Sequence, residues 1–284
     1  MNSIGLKSRA KINLSIDVLG KRQDGYHIVE MIMQTIDLYD SLDIKPIRED
    51  KIIIKCNKPY VPTDERNLAY KAAKLFKETY NINKGVFINI EKNIPMSAGL
   101  AGGSTDAAAV LKGMNKIFDM NIDEHKLMEL GVKIGADVPY CIKGGTALCE
   151  GIGEVITPLK SFKDNIVVLV KPPFGVSTKE VYGDLDLNKV FKHVEVEKII
   201  DYIDKDDLKG VCENMKNILE NVTLRNYPTI RGIKKNMWIN GSVGVMMSGS
   251  GPTVFAFFED MVKAQRCYDN MKKKYKDVFI TRTI

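Results

Sequence analysis

Pro95-Met96-Ser97-Ala98-Gly99-Leu100-Ala101-Gly102-Gly103-Ser104-Thr105-Asp106 gathers three glycines and several small residues into one run. It follows the strand-like run Val86-Phe87-Ile88-Asn89-Ile90 and leads straight into the helix-like run Ala107-Ala108-Ala109-Val110-Leu111-Lys112. Glycine lets backbone N–H groups approach a ligand with no Cβ in the way. A helix starting just behind adds free N–H groups and a partial positive charge. Together these make a phosphate cradle. The plainer reading is a glycine-rich strand-to-helix connection with Ser104 or Thr105 as N-cap. A lysine-bearing G-x-x-x-x-G-K-[ST] loop is missing, because Gly103 is followed by Ser104, and no G-x-G-x-x-G marks the first strand–helix turn. Phosphates held here would rest on backbone amides and the hydroxyls of Ser104 and Thr105. Their charge would then need a separate cation, Mg²⁺ or a lysine from elsewhere.

Working outward, Ala10 to Val18 alternates cleanly. Ala10, Ile12, Leu14, Ile16 and Val18 share one face, and Lys11, Asn13, Ser15 and Asp17 the other, which predicts a half-buried strand. Lys11 is either a solvent-facing lysine of that strand or the missing cation. Asp24-Gly25 predicts a hairpin turn before the apolar run Ile28 to Ile36. The Tyr26-His27 pair beside it is either a buried aromatic with a satisfied histidine or a pair recognising a planar heterocycle. Leu42–Lys45 and Ile52–Ile54 read as further strands, and a helix capped by Asn67 follows through Leu68, Ala72, Leu75 and Phe76.

Downstream of the opening stretch, Asp123 to Ile134 reads as an amphipathic helix closed by Gly135. The turn Gly135-Ala136-Asp137-Val138-Pro139 follows, then a strand-like Tyr140-Cys141-Ile142. Asp137 is either a turn residue or a carboxylate placed to accept a proton from a hydroxyl nucleophile. The polar connector Thr157-Pro158 to Asn165 marks the expected domain boundary, giving domains 1–157 and 158–284. Beyond it the pattern predicts a buried strand at Ile166–Val170 and helices around Thr178–Tyr182, Val196–Ile203, Leu208–Glu220 and Ile230–Met237. A strand–turn–strand centred on Ser248-Gly249-Ser250-Gly251-Pro252 comes next, then a helix from Met261 to Tyr275 and a last strand from Val278 to Thr281. The Ser248–Pro252 turn is either a simple hairpin or a second glycine-rich loop over a substrate.

Composition narrows the class. At 284 residues with 44% hydrophobic and 27% charged residues, the chain suits a globular protein with a sizeable core. Its net charge of +6 is a mild bias compatible with an anionic small molecule. The densest basic run, Lys272-Lys273-Lys274-Tyr275-Lys276, has no interleaved aromatic stripe and argues against nucleic acid. Five scattered cysteines without a C-x-x-C pair argue against a disulfide framework or a cysteine-rich zinc site. No signal-peptide core or membrane span is expected, so the chain reads as cytoplasmic.

Four of these segments, taken in order, resemble the GHMP kinase superfamily. The chain is similar in particular to the branch acting on a cytidine-diphosphate-linked methylerythritol in the non-mevalonate isoprenoid route. The segments are Ala10-Lys11-Ile12-Asn13-Leu14 with Gly20 to His27, Pro95 to Thr105, Gly135 to Pro139, and Ser248 to Pro252. The likeness covers Ala10 to about Phe258, and Asp24-Gly25-Tyr26-His27 is its most specific part.

The resemblance implies an α+β fold of two domains, with mixed and antiparallel sheets, helices packed on them, and an active site in the cleft between the domains. It implies a kinase phosphorylating the 2-hydroxyl of that acceptor with ATP and Mg²⁺, as a monomer or homodimer. Asp137 would be the general base, and Lys11 would lie beside it. Asn13 would lie next to the reacting hydroxyl. Pro95, Met96, Ser97, Ala98, Gly99, Leu100, Ala101, Gly102, Gly103, Ser104 and Thr105 would hold ATP, with Ser104 nearest the metal. Tyr26, His27 and, more loosely, Tyr182 would bind the cytosine. Where some relatives carry more glycine, this chain has Ser97, Ala98 and Ala101, which predicts ordinary backbone angles there. The competing expectations are a mevalonate- or homoserine-type kinase of the same superfamily, a non-catalytic nucleotide-binding module, and a nucleoside-binding Rossmann protein.

Overall fold

The computed structural model describes residues 3–284. The first part of the chain carries strands β1 (Ile4–Asn13), β2 (Ser15–Lys21), β3 (His27–Ile47) and β4 (Ile52–Cys56), helix α1 (Leu68–Thr79), and strand β5 (Gly85–Glu91). Helices α2 (Gly102–Ile117), α3 (Glu124–Val132) and α4 (Val138–Lys143) follow, then β6 (Thr146–Gly151), β7 (Val155–Pro158) and β8 (Ile166–Lys171). The remainder holds α5 (Thr178–Gly183), α6 (Val196–Asp204), α7 (Leu208–Asn214), β9 (Lys216–Asn217), α8 (Glu220–Asn226) and α9 (Thr229–Ile239). Strands β10 (Gly244–Met247) and β11 (Val254–Phe258), helix α10 (Met261–Lys272) and strand β12 (Asp277–Arg282) close the chain. Among the described residues, no helix is long and apolar enough to cross a membrane.

The chain forms two compact units, and their segments interleave. One unit holds residues up to Ala10 with Leu38–Ile94 and Ala101–Gly144. The other holds Lys11–Asp37, Pro95–Leu100 and Gly145–Ile284. Strands β1 and β3 pass from one unit into the other, and residue 157 falls inside the second.

In the first unit, the C-terminal half of β3 pairs antiparallel with β5, from Ser41↔Glu91 to Ile47↔Gly85, and β4 lies parallel to β5. Leu42, Ile44, Ile54, Val86, Ile88 and Ile90 give the sheet an apolar face. Helices α1 and α2 cover it with alanines as well as Phe76, Leu111 and Met114. Small side chains let the helix axes come close; at Gly113 an added methyl would run into Ile44 and Leu6. The Asn67 side chain caps α1 through the Ala69 N–H, as expected, whereas Asp123, expected as the first helical residue, caps α3 through the Lys126 N–H. Helix α3 ends on a right-handed Lys133, without a left-handed glycine at 135.

The second unit contains the β2–β3 hairpin, closed at Lys21↔His27 by the Asp24-Gly25 turn with Gly25 at φ 90°. The N-terminal half of β3 pairs antiparallel with β6, which pairs with β7. A separate antiparallel sheet runs β10-β11-β8-β12. Its β8 and β11 are apolar on both faces and buried throughout, apart from the last residue of β8.

Four expectations about elements need correction. Ile28–Ile36 and Leu42–Lys45 belong to one strand, β3, with the first half pairing in one unit and the second half in the other. Tyr140-Cys141-Ile142 is helical, because Pro139 near the start of α4 presets the helical φ and Gly144 at φ 72° ends the turn. The expected helix Leu208–Glu220 is broken by β9, which pairs parallel with β2. The last helix stops at Lys272, leaving Lys273, Lys274 and Lys276 exposed beyond it. All five cysteines are free thiols.

Beneath the start of α2 lies a buried ionic cluster that the sequence reading missed. Lys92 Nζ donates to Asp106 Oδ2 at 2.7 Å, to Asp40 Oδ2, and to the Gly102 carbonyl at 3.3 Å. The other Asp40 oxygen accepts the Asn93 and Ile94 amides, and Ser8 Oγ donates to Asp106 Oδ1 at 2.8 Å. One lysine therefore serves two carboxylates. Burial works against the Lys92 charge, but Asp106 and Asp40 outweigh it and hold its pKa above the ordinary value. Burial pushes the Asp106 carboxyl up to about 7, with Asp40 adding to the rise and Lys92 and Ser8 opposing it.

A carboxyl that binds its proton more tightly in the folded than in the unfolded chain stabilises the fold most at low pH. That contribution falls as pH rises from 3.8, the ordinary value, through about 7. Asp106→Asn carries no such proton, so melting curves of variant and wild type should shift apart in the variant's favour over this window and run level above it. Parallel curves across the window would contradict the buried-charge account.

Candidate active site

The polar face of β1 and β2 is buried, not solvent-facing. Lys11 is 4% exposed and Asn13 and Ser15 are fully buried, while the apolar residues between them are buried too. Alternation predicted one wet face; both faces are covered. Lys11 Nζ donates to Asn13 Oδ1 at 2.7 Å, and the same oxygen accepts the Gly249 N–H at 3.0 Å. The Lys11 backbone N–H donates to the Leu100 carbonyl at 3.2 Å. Within its own unit, the ammonium is thus held by a neutral amide oxygen, which leaves its charge for an anion.

The glycine-rich stretch has an alternating backbone. Ser97, Gly99 and Ala101 have φ of 49°, 74° and 58°, while Ala98 and Leu100 between them are absent from the left-handed region. Ala98 and Leu100 are buried at 4% and 1%, so their side chains anchor the loop. This corrects the expectation of ordinary angles at Ser97 and Ala101; only Ala98 keeps one. Left-handed backbone at a residue with a Cβ costs about 1–2 kcal/mol, and packing elsewhere must hold it. Alternation of φ sign turns successive N–H groups to one side, the geometry of an anion nest.

Helix α2 begins directly behind, at Gly102, with Ala101 as N-cap and no side-chain cap. Ser104 and Thr105 therefore lie inside its first turn and are not its N-cap. The Thr105 hydroxyl is committed, donating to the Arg9 carbonyl at 2.7 Å. Ser104 is half-buried, and Gly103 is exposed. The first N–H groups of a four-turn helix are left without a side-chain partner, beside a positive dipole end.

The turn Ser248–Pro252 packs on this loop, backbone against backbone. Ser248 Oγ donates to the Gly99 carbonyl at 2.9 Å. A Cβ at Gly99 would run into the Ser248 carbonyl, so only glycine fits there. A Cβ at Gly249 would lie 3.1 Å from the Gly99 carbonyl and 3.5 Å from Lys11 Nζ. Gly175 faces Ser97 just as closely, since its added Cβ would come within 2.8 Å of the serine Cβ. These close approaches hold the left-handed backbone of the loop.

His27 and Tyr182 stack with ring centroids 5.1 Å apart and planes tilted by 37°. Burial, then the charge of Lys21, lowers the His27 pKa below 6.5, so the ring is neutral at pH 7. Tyr26 is 57% exposed at the hairpin tip, its N–H bonded to Asp24 Oδ1 at 3.1 Å. Met96 is 41% exposed and Pro95 half-buried.

Asp137 belongs to the first unit, at the N-terminus of α4. It is half-buried with φ −80° and ψ −12°, and its side chain does not cap the helix. Turn chemistry therefore does not account for its carboxylate.

The structure thus groups Lys11, Asn13, Gly99, Leu100 and the 248–249 turn in one hydrogen-bonded set, and brings the rings of His27 and Tyr182 together. Sequence reasoning missed Asn217, which lies in β9 and donates to both the Met247 and Gly249 carbonyls at 2.8 Å. Its signal was present: Asn217 with Glu220 three residues on is a helix-start pattern in the middle of an apparent helix.

Residues 67–145 match the family described as GHMP kinases N terminal domain, and residues 199–277 match GHMP kinases C terminal. A relative from Clostridium beijerinckii named 4-diphosphocytidyl-2-C-methyl-D-erythritol kinase is 66% identical over 279 residues, covering 98% of this chain and 99% of its own. A crystal structure of 4-(cytidine 5'-diphospho)-2C-methyl-D-erythritol kinase superposes with TM-score 0.83 at 30% identity, covering 99% of each chain. A homoserine kinase from Cytophaga hutchinsonii superposes with TM-score 0.80 at 19% identity, covering 99% of this chain and 95% of that one, a likeness of fold alone. The chain therefore belongs to the GHMP kinase family and, within it, to the 4-diphosphocytidyl-2-C-methyl-D-erythritol kinases.

Proposed function

We propose that the protein transfers the γ-phosphoryl group of ATP to the 2-hydroxyl of 4-diphosphocytidyl-2-C-methyl-D-erythritol, a step of the non-mevalonate isoprenoid route. The observation that carries this reading is the buried Lys11 held by a neutral Asn13 oxygen against the glycine loop. Such a lysine is a cation waiting for an anionic ligand.

In this reading residues 95–105 bind the ATP phosphates, using the nest of Ser97–Ala101 and the uncapped amides of α2. Lys11 and the helix dipole stabilise charge on the transferring group. Asp137 positions the acceptor hydroxyl and takes its proton as the new O–P bond forms and the bond from the γ-phosphorus to the β–γ bridging oxygen breaks, with ADP leaving. Asn13 orients the reacting hydroxyl and the phosphates. His27 and Tyr182 hold the cytosine, with Tyr26 at the rim, and a neutral His27 reads its edge by hydrogen bonding.

Mg²⁺ in nucleotide sites takes most of its ligands from phosphates and water, with one or two protein oxygens. The Ser104 hydroxyl fits that demand, because it stands in the first turn of α2 without serving as its cap. It would hold the metal, whose chemistry is to neutralise phosphate charge.

Asp137→Asn should lower kcat by about a thousandfold while KM for ATP and the melting temperature barely move, since the side chain caps nothing. Full acceptor-dependent ADP release by that variant would falsify the base assignment. Tyr182→Ala should raise KM for the acceptor about tenfold and leave KM for ATP unchanged. An equal effect on both constants would instead point to a structural role for the ring.

A further inference from the structure

The turn between β10 and β11 is fixed from one side by Asn217. The residue is 4% exposed, and every polar group of its side chain is used. Its amide nitrogen donates to the Met247 and Gly249 carbonyls, both at 2.8 Å, and its oxygen accepts the Leu219 N–H at 3.0 Å. An amide nitrogen has two donors, and here both are spent on one turn. The backbone of Asn217 is itself anchored, since β9 pairs with β2 at Ile16↔Asn217.

What the turn does next gives this bracket its meaning. With the Gly249 carbonyl held, its N–H points at Asn13 Oδ1, the same oxygen that receives Lys11 Nζ. One residue earlier, the Ser248 hydroxyl bonds the Gly99 carbonyl of the glycine loop. A chain of direct contacts therefore runs from Asn217 through Gly249 to Asn13 and Lys11, with a branch to Gly99. All five residues lie in the second unit.

We propose that Asn217 is a positioning residue for phosphoryl transfer: by clamping the 247–249 carbonyls it aims the Gly249 amide at Asn13 and so sets the Lys11 ammonium. This rests on the reading of Lys11 and Asn13 as reacting-site groups. Losing the clamp releases the turn, and Asn13 loses a donor that keeps its oxygen toward Lys11. The cost should fall on the transition state more than on ATP binding, because the 95–105 backbone loses only its contact with the turn and keeps the anchors of buried Ala98 and Leu100 and the packing of Ser97 on Gly175.

The test compares Asn217→Ala with Ile233→Ala, a truncation in the buried face of α9, which packs on β10 and β11 but gives the turn no side-chain hydrogen bond from Ile233. Steady-state kinetics, melting temperature and hydrogen exchange at the Gly249 amide are measured on the full chain. Asn217→Ala should lower kcat about tenfold or more, with KM for ATP within about threefold, and speed exchange at Gly249. Ile233→Ala should lower the melting temperature while keeping kcat within about twofold. Wild-type kcat in Asn217→Ala, or the same kcat loss in an Ile233 variant of equal melting temperature, overturns the proposal. If Asn217→Ala does not fold, Asn217→Ser is expected to show a smaller loss of the same pattern, and wild-type kcat there overturns it equally. A wild-type protein without acceptor-dependent turnover refutes the functional reading instead, and slow Gly249 exchange insensitive to Asn217 then refutes the clamp separately.

Discussion

A single oxygen, Asn13 Oδ1, accepts both the Lys11 ammonium and the Gly249 amide, and the arrangement of the second unit depends on it. Burying a lysine without a carboxylate partner is costly, and burying an amide oxygen without donors is costly too. Each group offsets the penalty of the other. The strand can therefore carry polar side chains on a covered face, and the turn at 248–249 is drawn against it. A strand of apolar residues on both faces would pack at least as well, but would leave no charge for a ligand.

The same trade appears in the glycine-rich loop. Ser97 and Ala101 hold left-handed backbone that a Cβ disfavours, and α2 starts without a side-chain cap. Neither feature helps the fold. Both leave N–H groups without a side-chain cap at the start of α2, which an anion can use. Stability is recovered close by: Ala98 and Leu100 are buried, and Gly99 lets the Ser248 carbonyl sit against the loop. Beneath α2, the cluster of Lys92, Asp40 and Asp106 ties the Gly102 carbonyl to the body of the first unit.

Local chemistry was legible in the sequence where it is local in the structure. The Asp24-Gly25 hairpin, the Asn67 cap, and the helix behind Gly102 follow from short-range rules. The polar–apolar alternation of β1 was legible as a strand, but not as a doubly buried one, because alternation records residue type and not what covers it. Tyr140-Cys141-Ile142 failed because a three-residue apolar run has no period, and only Pro139 and Gly144 decide its conformation. The angle at Ser97 was invisible because Gly175, distant in sequence, packs against it. Lys11, Asn13 and His27 lie in the motifs that carry the resemblance, and Tyr182 was placed only loosely; the fold sets Lys11 on Asn13 and His27 against Tyr182. The cooperation of Asn217 and Gly249 with them needed the fold, since β9 is two residues long and its pairing with β2 is set by tertiary contacts.

The fold alone does not choose the acceptor, as the homoserine kinase of similar shape illustrates. In the proposed reading, the choice rests on the His27–Tyr182 pair. The most direct measurement is ATP-dependent ADP release by the purified protein with a panel of acceptors. Turnover with 4-diphosphocytidyl-2-C-methyl-D-erythritol, and at least about a hundredfold lower kcat/KM with mevalonate or homoserine, is the result this account predicts. Comparable turnover of an acceptor without a cytidine would contradict it.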